Sequence, residues 1–207
     1  MTALPPLAAW AERLQLIAQA GLTYSQNPYD LQRFSQIQGL AAEMLAANSS
    51  ISQEQITTLL ADERGYHTPK VDVRAVILRD GKMLFVKELA DGGWTLPGGW
   101  VDSGDLPSYA AEREVWEESG YTAKATRLLA VLDHRLHGYP PYFFHIYKLF
   151  FQCEITGGAP ATSLETDGVA WFGPEESPQL SVNRTTPEII QMMFQQVNNP
   201  QAPALFD

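Results

Sequence analysis

The sequence has a single cysteine, Cys153, in 207 residues, so no internal disulfide can staple it. Cys153 sits in an apolar, strand-like run and reads as a buried, inert thiol, which fits a reducing, cytoplasmic compartment. Positive charge is also scarce: 14 Lys and Arg stand against 24 Asp and Glu, a formal net charge of −10. That balance argues against a sequence-independent grip on nucleic acid, which needs clustered cations against the phosphate chain. No stretch approaches the roughly 20 apolar residues that span a bilayer, so no membrane partner is expected. The start of the chain lacks a basic segment followed by an apolar one, so no signal peptide is expected either. What is present is an acidic chain of ordinary hydrophobic content, long enough for one good-sized domain and a small one.

The periodicity divides that chain in two. Over residues 1–65 apolar residues recur at helical spacing. Leu7, Trp10, Leu14 and Ile17 or Ala18 mark a first helix over Pro5–Ala20, which Gly21 ends. Asn27-Pro28 opens a second helix, with Phe34, Ile37, Leu40, Ala41, Met44 and Leu45 before Asn48. A third runs from about Ser52 to Leu60. The stripes Leu7/Trp10/Leu14 and Phe34/Ile37/Ala41/Met44 are too much apolar surface for so small a module to bury alone. Residues 1–65 therefore read as a helical packing or dimerisation domain, and a homodimer is expected, since two-fold dimers are the commonest soluble assembly. After the linker Arg64–Pro69 the pattern changes. Val71–Leu78 and Lys82–Glu88 flank Arg79-Asp80-Gly81, a hairpin signal. Trp94–Leu96, Ala125–Leu132, Phe143–Cys153 and Val169–Phe172 read as further strands, and Pro187–Val197 as a helix. Residues 70–207 thus form a mixed α/β domain.

One helix of that domain carries three carboxylates. Glu114, Glu117 and Glu118 stand at i, i+3 and i+4, on one helical face. Like charges at this spacing destabilise a helix by roughly 0.2–0.5 kcal/mol per pair. A hard divalent ion such as Mg²⁺, with Mn²⁺ as a substitute, removes that repulsion because it prefers carboxylate and water oxygens. The helix is expected from about Leu106 to about Ser119. Asp102, Ser103 and Asp105 are N-cap candidates, Pro107 suits the first turn and Gly120 is the stop. Ala111 and Val115 are expected to face the core, with the glutamates turned away from them toward a pocket. Upstream, Trp94–Gly99 reads as a short strand entering a Gly98-Gly99 turn, whose backbone can approach a ligand closely.

The spacing resembles the Nudix box, G-x5-E-x7-R-E-U-x-E-E-x-G-U, where U is a bulky apolar residue. Gly99, Arg113, Glu114, Val115, Glu117, Glu118, Gly120 and Tyr121 fall on the pattern, and Asp105 stands where the family has Glu. Trp10–Leu14, Gly21–Tyr24, Asn27–Asp30, His137–Pro141 and Leu149–Gly158 resemble one Nudix subgroup. That subgroup includes bacterial CDP-choline pyrophosphatases and proteins labelled ADP-ribose pyrophosphatases. The resemblance implies an α/β/α sandwich around a mixed sheet, preceded by the small all-α domain. It also implies a magnesium-dependent hydrolase of a small nucleoside diphosphate derivative, with ADP-ribose and CDP-choline leading. The products would be a nucleoside monophosphate and a phosphorylated second group. An RNA-end phosphohydrolase or short-RNA nuclease is the alternative, against which the acidic pI of about 4.8 counts. A non-catalytic ligand-binding regulator fits less well, because the three glutamates are intact.

The resemblance also implies roles. Glu114, Glu117 and Glu118 would hold the metal together with a backbone carbonyl at the glycine turn, assigned to Gly99, and Glu117 would be catalytic. Arg113 would pair with a box glutamate and orient it. Asp105, one methylene shorter than Glu, would support Arg113 and the helix start. Nudix enzymes often place the general base on a loop after the sheet, where Glu165 is the first candidate and Asp167 the second. Arg74 and Lys87, on strands near the expected cleft, are candidates to meet phosphate. Trp100 and Tyr139, in loops, are candidates to stack on a nucleobase. His134 and His137 read as loop or rim residues, and His145 as a satisfied strand residue.

Overall fold

The computed structural model describes residues 6–47, 52–62, 65–140, 142, 144–176 and 178–207. The expected helix bounds Pro5 and Asn48, with Arg64, Pro141 and Phe143, lie outside them. The chain divides into two compact units, Thr2–Thr68 and Pro69–Asp207. No described helix is long and apolar enough to cross a membrane.

In the first unit α1 (Pro6–Tyr24) is followed by α2 (Pro28–Ala46) and α3 (Gln53–Asp62). Asn27 caps α2 by accepting the Tyr29 N–H, and Pro28 takes the first helical position, where its missing N–H costs nothing. Gly21 does not end α1, which runs on to Tyr24; it is needed where α1 meets α2, since a Cβ there would run into the Phe34 ring. The buried residues of α1 and α2 include Ala11, Ala18, Ala41 and Ala42. The larger apolar residues Leu7, Trp10 and Ile17 are exposed, Trp10 at 58%, in keeping with a stripe that the module does not bury alone. Small side chains let two helices approach closely, which leaves the bulky residues of α1 on its other faces.

The second unit holds two sheets. β1 (Lys70–Val76) pairs parallel with β6 (Ile146–Gly158), β6 antiparallel with β5 (Tyr121–Asp133), and β5 parallel with β8 (Leu205–Phe206). In the other sheet β3 (Lys82–Glu88) pairs antiparallel with β2 (Leu78–Arg79), β4 (Trp94–Thr95) and β7 (Thr166–Phe172). The expected hairpin is a two-residue turn with positive φ at Asp80 and Gly81, the backbone that matches strand twist. Ala110, Ala111 and Val115 of α4 (Pro107–Ser119) pack with Val73, Ala75, Ile77 and Leu84. Ile189, Met193 and Phe194 of α5 (Pro187–Asn198) pack with Val76, Met83, Phe85, Leu96 and Phe150. The outcome is the expected α/β/α arrangement around mixed sheets. Cys153 is buried in the α4 side, and burial pushes its thiol up to about 12.

Charge interrupts the apolar strand β1 at Asp72 and Arg74, both buried. Asp72 faces Lys148 across the β1–β6 register. Its carboxylate accepts from Arg74 Nη2 at 2.7 Å, Arg74 Nε at 3.0 Å and Lys148 Nζ at 3.0 Å. Arg74 also donates to the Leu96 carbonyl, and Lys148 to the Arg184 carbonyl. One polar knot therefore ties β1, β6, the end of β4 and the segment before α5. Burial pushes the Asp72 carboxyl up, but the two cations outweigh it and hold it below the usual range. Asp72→Ala would strand both cations in the interior, an expected loss of about 3–5 kcal/mol in urea unfolding. A loss below about 1 kcal/mol would show that the knot is dispensable.

Candidate active site

α4 begins after Leu106, which has no side-chain cap hydrogen bond, so Asp102, Ser103 and Asp105 do not cap it. Pro107 provides the start, and Gly120 ends the helix at φ 74°, the left-handed conformation that glycine adopts without strain. Asp105 and Asp102 instead stand 3.7 Å from the Arg113 guanidinium, an ionic rather than hydrogen-bonded distance.

The box glutamates do not all turn from the core. Glu114 and Glu118 are buried on the same side as Ala110, Ala111 and Val115, whereas the Glu117 side chain is 43% exposed. Glu118 accepts the Gly98 N–H at 2.9 Å. Burial pushes its carboxyl up from an ordinary 4.5 to about 8, against the opposing pull of Arg74 and the Gly98 bond. Glu114 is raised too, by burial first, with Glu117 and Glu165 adding like charge and Arg113 and Arg74 opposing. Arg113 reaches Glu114 and Glu117 at 2.9 Å each, so it braces both. Burial opposes its charge, yet these carboxylates keep the guanidinium raised.

The glycine turn lies against these acids. Gly98 has φ 150°, and a Cβ there would meet the Val73 oxygen at 2.0 Å. A Cβ on Gly99 would come 3.0 Å from Glu114 Oε2, so the turn's backbone stands directly beside that carboxylate. The Gly99 carbonyl accepts the Val73 N–H at 2.9 Å, which leaves it one lone pair rather than two. Among the described residues no three His, Cys, Asp or Glu side chains stand in a metal-holding group. Arg113 is what neutralises Glu114 and Glu117 here. The donor set is nonetheless that of a hard cation: carboxylate oxygens, two of them partly desolvated, beside a close backbone turn.

The remaining candidates separate. Glu165 is exposed on a loop pinned on both sides: its carbonyl accepts the Leu89 N–H, and Thr166 Oγ1 donates to the Glu118 carbonyl at 2.6 Å. Asp167 pairs with Lys87 at 3.7 Å, so the loop and the strand cation are neighbours. Trp100 is 43% exposed, and its carbonyl accepts from Arg113. Arg74 corrects the expectation of a phosphate contact: it is 2% exposed, with its donors spent on Asp72 and Leu96. Tyr139 corrects the expectation of a stacking residue. It is buried in the core beside α5, with the Lys148 ammonium 5.0 Å over its ring. His134 and His137 are buried rather than on a rim; His134 Nδ1 accepts the Ile146 N–H, and His137 Nε2 meets Asp207 at 2.9 Å. His145 is satisfied by Asp133 at 2.9 Å.

Sequence reasoning missed Glu88, a carboxylate at the end of β3 that is 2% exposed. Burial pushes it up, Arg184 and Arg74 oppose, and Asp91 and Glu165 add to the rise. Its sequence signal is a lone acid closing an apolar strand, just before the Asp91-Gly92-Gly93 turn.

Because the folded Glu118 carboxyl sits at about 8 rather than 4.5, its protonated form suits the fold. Stability linked to it is complete below about 4.5 and is lost as pH rises through about 8. Without divalent ions, Glu118→Gln should therefore lose less stability than the parent between about pH 5 and pH 9 in urea unfolding. Parallel pH curves for the two proteins would show that the buried charge is not costly.

Residues 5–60 match the family model described as the UDP-X-like, N-terminal oligomerisation domain, and residues 68–193 match the NUDIX domain model. A Bacillus subtilis (strain 168) protein named "Putative ADP-ribose pyrophosphatase YjhB" is 42% identical over 197 residues, covering 95% of both chains. A crystal structure of a UDP-X diphosphatase matches with a TM-score of 0.65 and 30% identity, over 97% of this chain and 98% of that one. The structure of a Streptococcus suis ADP-ribose pyrophosphatase matches with a TM-score of 0.62 and 31% identity, over 68% of this chain and all of that one, 100%. With the domain model spanning 68–193 and a relative alike along nearly the whole chain, this protein belongs to the Nudix hydrolase family.

Proposed function

We propose that the chain hydrolyses the diphosphate linkage of a small nucleoside diphosphate derivative with magnesium, or manganese in its place, and that ADP-ribose leads the substrates. The observation that carries this reading is the pair of buried box glutamates, Glu114 and Glu118, held beside the Gly98-Gly99 turn. The names of the Bacillus and Streptococcus relatives support ADP-ribose. The UDP-X diphosphatase match favours a second reading, a UDP-linked substrate. CDP-choline belongs in the same test.

Bound magnesium would neutralise phosphate charge, acidify a water and stabilise the leaving phosphate. Glu114, Glu117 and Glu118 are the residues that would hold it, with Gly99 beside them. Arg113 holds Glu114 and Glu117 in place. Glu165 is the proposed general base: its side chain is exposed while its backbone is fixed by the Ser163, Thr166 and Leu89 contacts. Lys87 would meet phosphate from the same edge, and Trp100 would stack on the base.

Glu117→Gln should lower turnover about a hundredfold or more, the loss expected when a metal-holding charge is removed. Folding should survive, since Glu117 is partly exposed and its surface ion pair with Arg113 contributes little to stability. The measurement is phosphate-product analysis with ADP-ribose, UDP-sugars, CDP-choline and a triphosphorylated RNA in magnesium. Near-parental turnover by Glu117→Gln, or turnover of the RNA alone, would sink the reading.

The exposed Leu7, Trp10 and Ile17, on the unit matched to an oligomerisation domain, support a homodimer built through α1. Trp10→Glu places a charge on that face and should halve the solution mass in light scattering. An unchanged mass would remove α1 from the interface.

A further inference from the structure

Arg184 is a cation for which the box gives no role. It stands in the segment before α5, and its Nε faces Glu88 Oε1 at 3.1 Å. The contact is ionic: Glu88 Oε1 receives no hydrogen bond, although it is buried. The Arg184 side chain is 35% exposed while that of Glu88 is 2%. One edge of the guanidinium is thus spent on a buried carboxylate and the other faces water. Among the described residues no hydrogen bond engages its two terminal amino groups.

The backbone under Arg184 is fixed. Its N–H and that of Thr185 donate to the Ser181 carbonyl at 2.9 Å. Ser181 in turn donates to the Trp94 carbonyl through N–H and to Asp91 through its hydroxyl at 2.8 Å. A Cβ on Gly93 would come 2.4 Å from the Ser181 nitrogen, so the approach is as close as glycine permits. The Arg184 carbonyl accepts from Lys148. Glu88 links this arrangement to the box. It pairs with Thr166 across the β3–β7 register, and Thr166 donates to the Glu118 carbonyl.

We propose that Arg184 grips the diphosphate of the substrate, with Glu88 as the positioning residue that holds it by its inner edge. A guanidinium presents paired N–H donors to two oxygens at once, which a lysine ammonium does not. The inference rests on the reading that the substrate carries a diphosphate; it does not depend on the base or the second group.

The test uses the full chain with magnesium and inorganic pyrophosphate in calorimetry, beside ADP-ribose kinetics. Arg184→Lys keeps a cation beside Glu88, so its melting temperature should stay near that of the parent. Its pyrophosphate affinity should fall about tenfold, and KM should rise by a similar factor with kcat changed far less. Arg184→Gln leaves Glu88 buried and unpaired and should melt early. Adding Glu88→Gln should restore melting but not pyrophosphate affinity, an outcome a merely structural pair would not give. Pyrophosphate binding by Arg184→Lys within about twofold of the parent overturns the proposal, as does a parent that binds no pyrophosphate. Arginine-dependent pyrophosphate binding without turnover of ADP-ribose supports it and faults only the substrate reading.

Discussion

The hydrogen bond from the Gly98 N–H to Glu118 joins the last turn of α4 to the strand end that precedes the box. It requires a glycine twice over. The φ of 150° is outside the range of ordinary side chains, and any Cβ would run into β1 at Val73. With that turn closed, Gly99 lies against Glu114, and the Gly99 and Pro97 carbonyls take the Val73 and Ala75 N–H groups. The edge of β1, the glycine turn and α4 are therefore one assembly.

Two buried carboxylates show how charge is settled in this interior. Asp72 and Glu118 both lose water, and Arg74 acts on both. Asp72 nevertheless stays low while Glu118 rises to about 8. The difference is contact. Asp72 receives charge-assisted hydrogen bonds from Arg74 and Lys148, whereas Glu118 receives one neutral N–H and feels Arg74 only through space. A structural carboxylate is paid for by its partners within the protein. A carboxylate left uncompensated beside two others is what a bound cation would complete.

Local periodicity explains which features were legible. The box spacing placed α4 within a residue or two, identified Gly120 as its stop and made Arg113 the brace of the glutamates. Asp80-Gly81 announced the hairpin. What the sequence hid depends on elements distant along the chain. Arg74 looked free for phosphate, but β1 pairs with β6, which brings Asp72 and Lys148 together at one register position. Tyr139 looked like a loop aromatic, yet α5 and Lys148 enclose it. In α1 the unburied bulky stripe was legible, but the close-packed face was not, because it is built from the small residues Ala11 and Ala18, which carry little periodic signal. Glu88 gave only the faint signal of an acid at the end of an apolar strand.

Burying Tyr139 also constrains recognition. The segment that carries it is tied down by Asp207, which accepts the Asp133 N–H at 2.7 Å and meets His137 Nε2. Thr186, the N-cap of α5, donates to the His137 carbonyl. A stretch fixed at these points, with its aromatic ring turned into the core, is scaffold rather than a base-binding surface. In the proposed function the base would then be met by Trp100, which is 43% exposed and whose carbonyl accepts from Arg113. An aromatic held by its own backbone beside the box loses little freedom on stacking, so it can add affinity without sharp preference among bases. On that proposal, discrimination among nucleotides would rest with the loops around it, and the fixed carboxylate centre would serve any diphosphate alike.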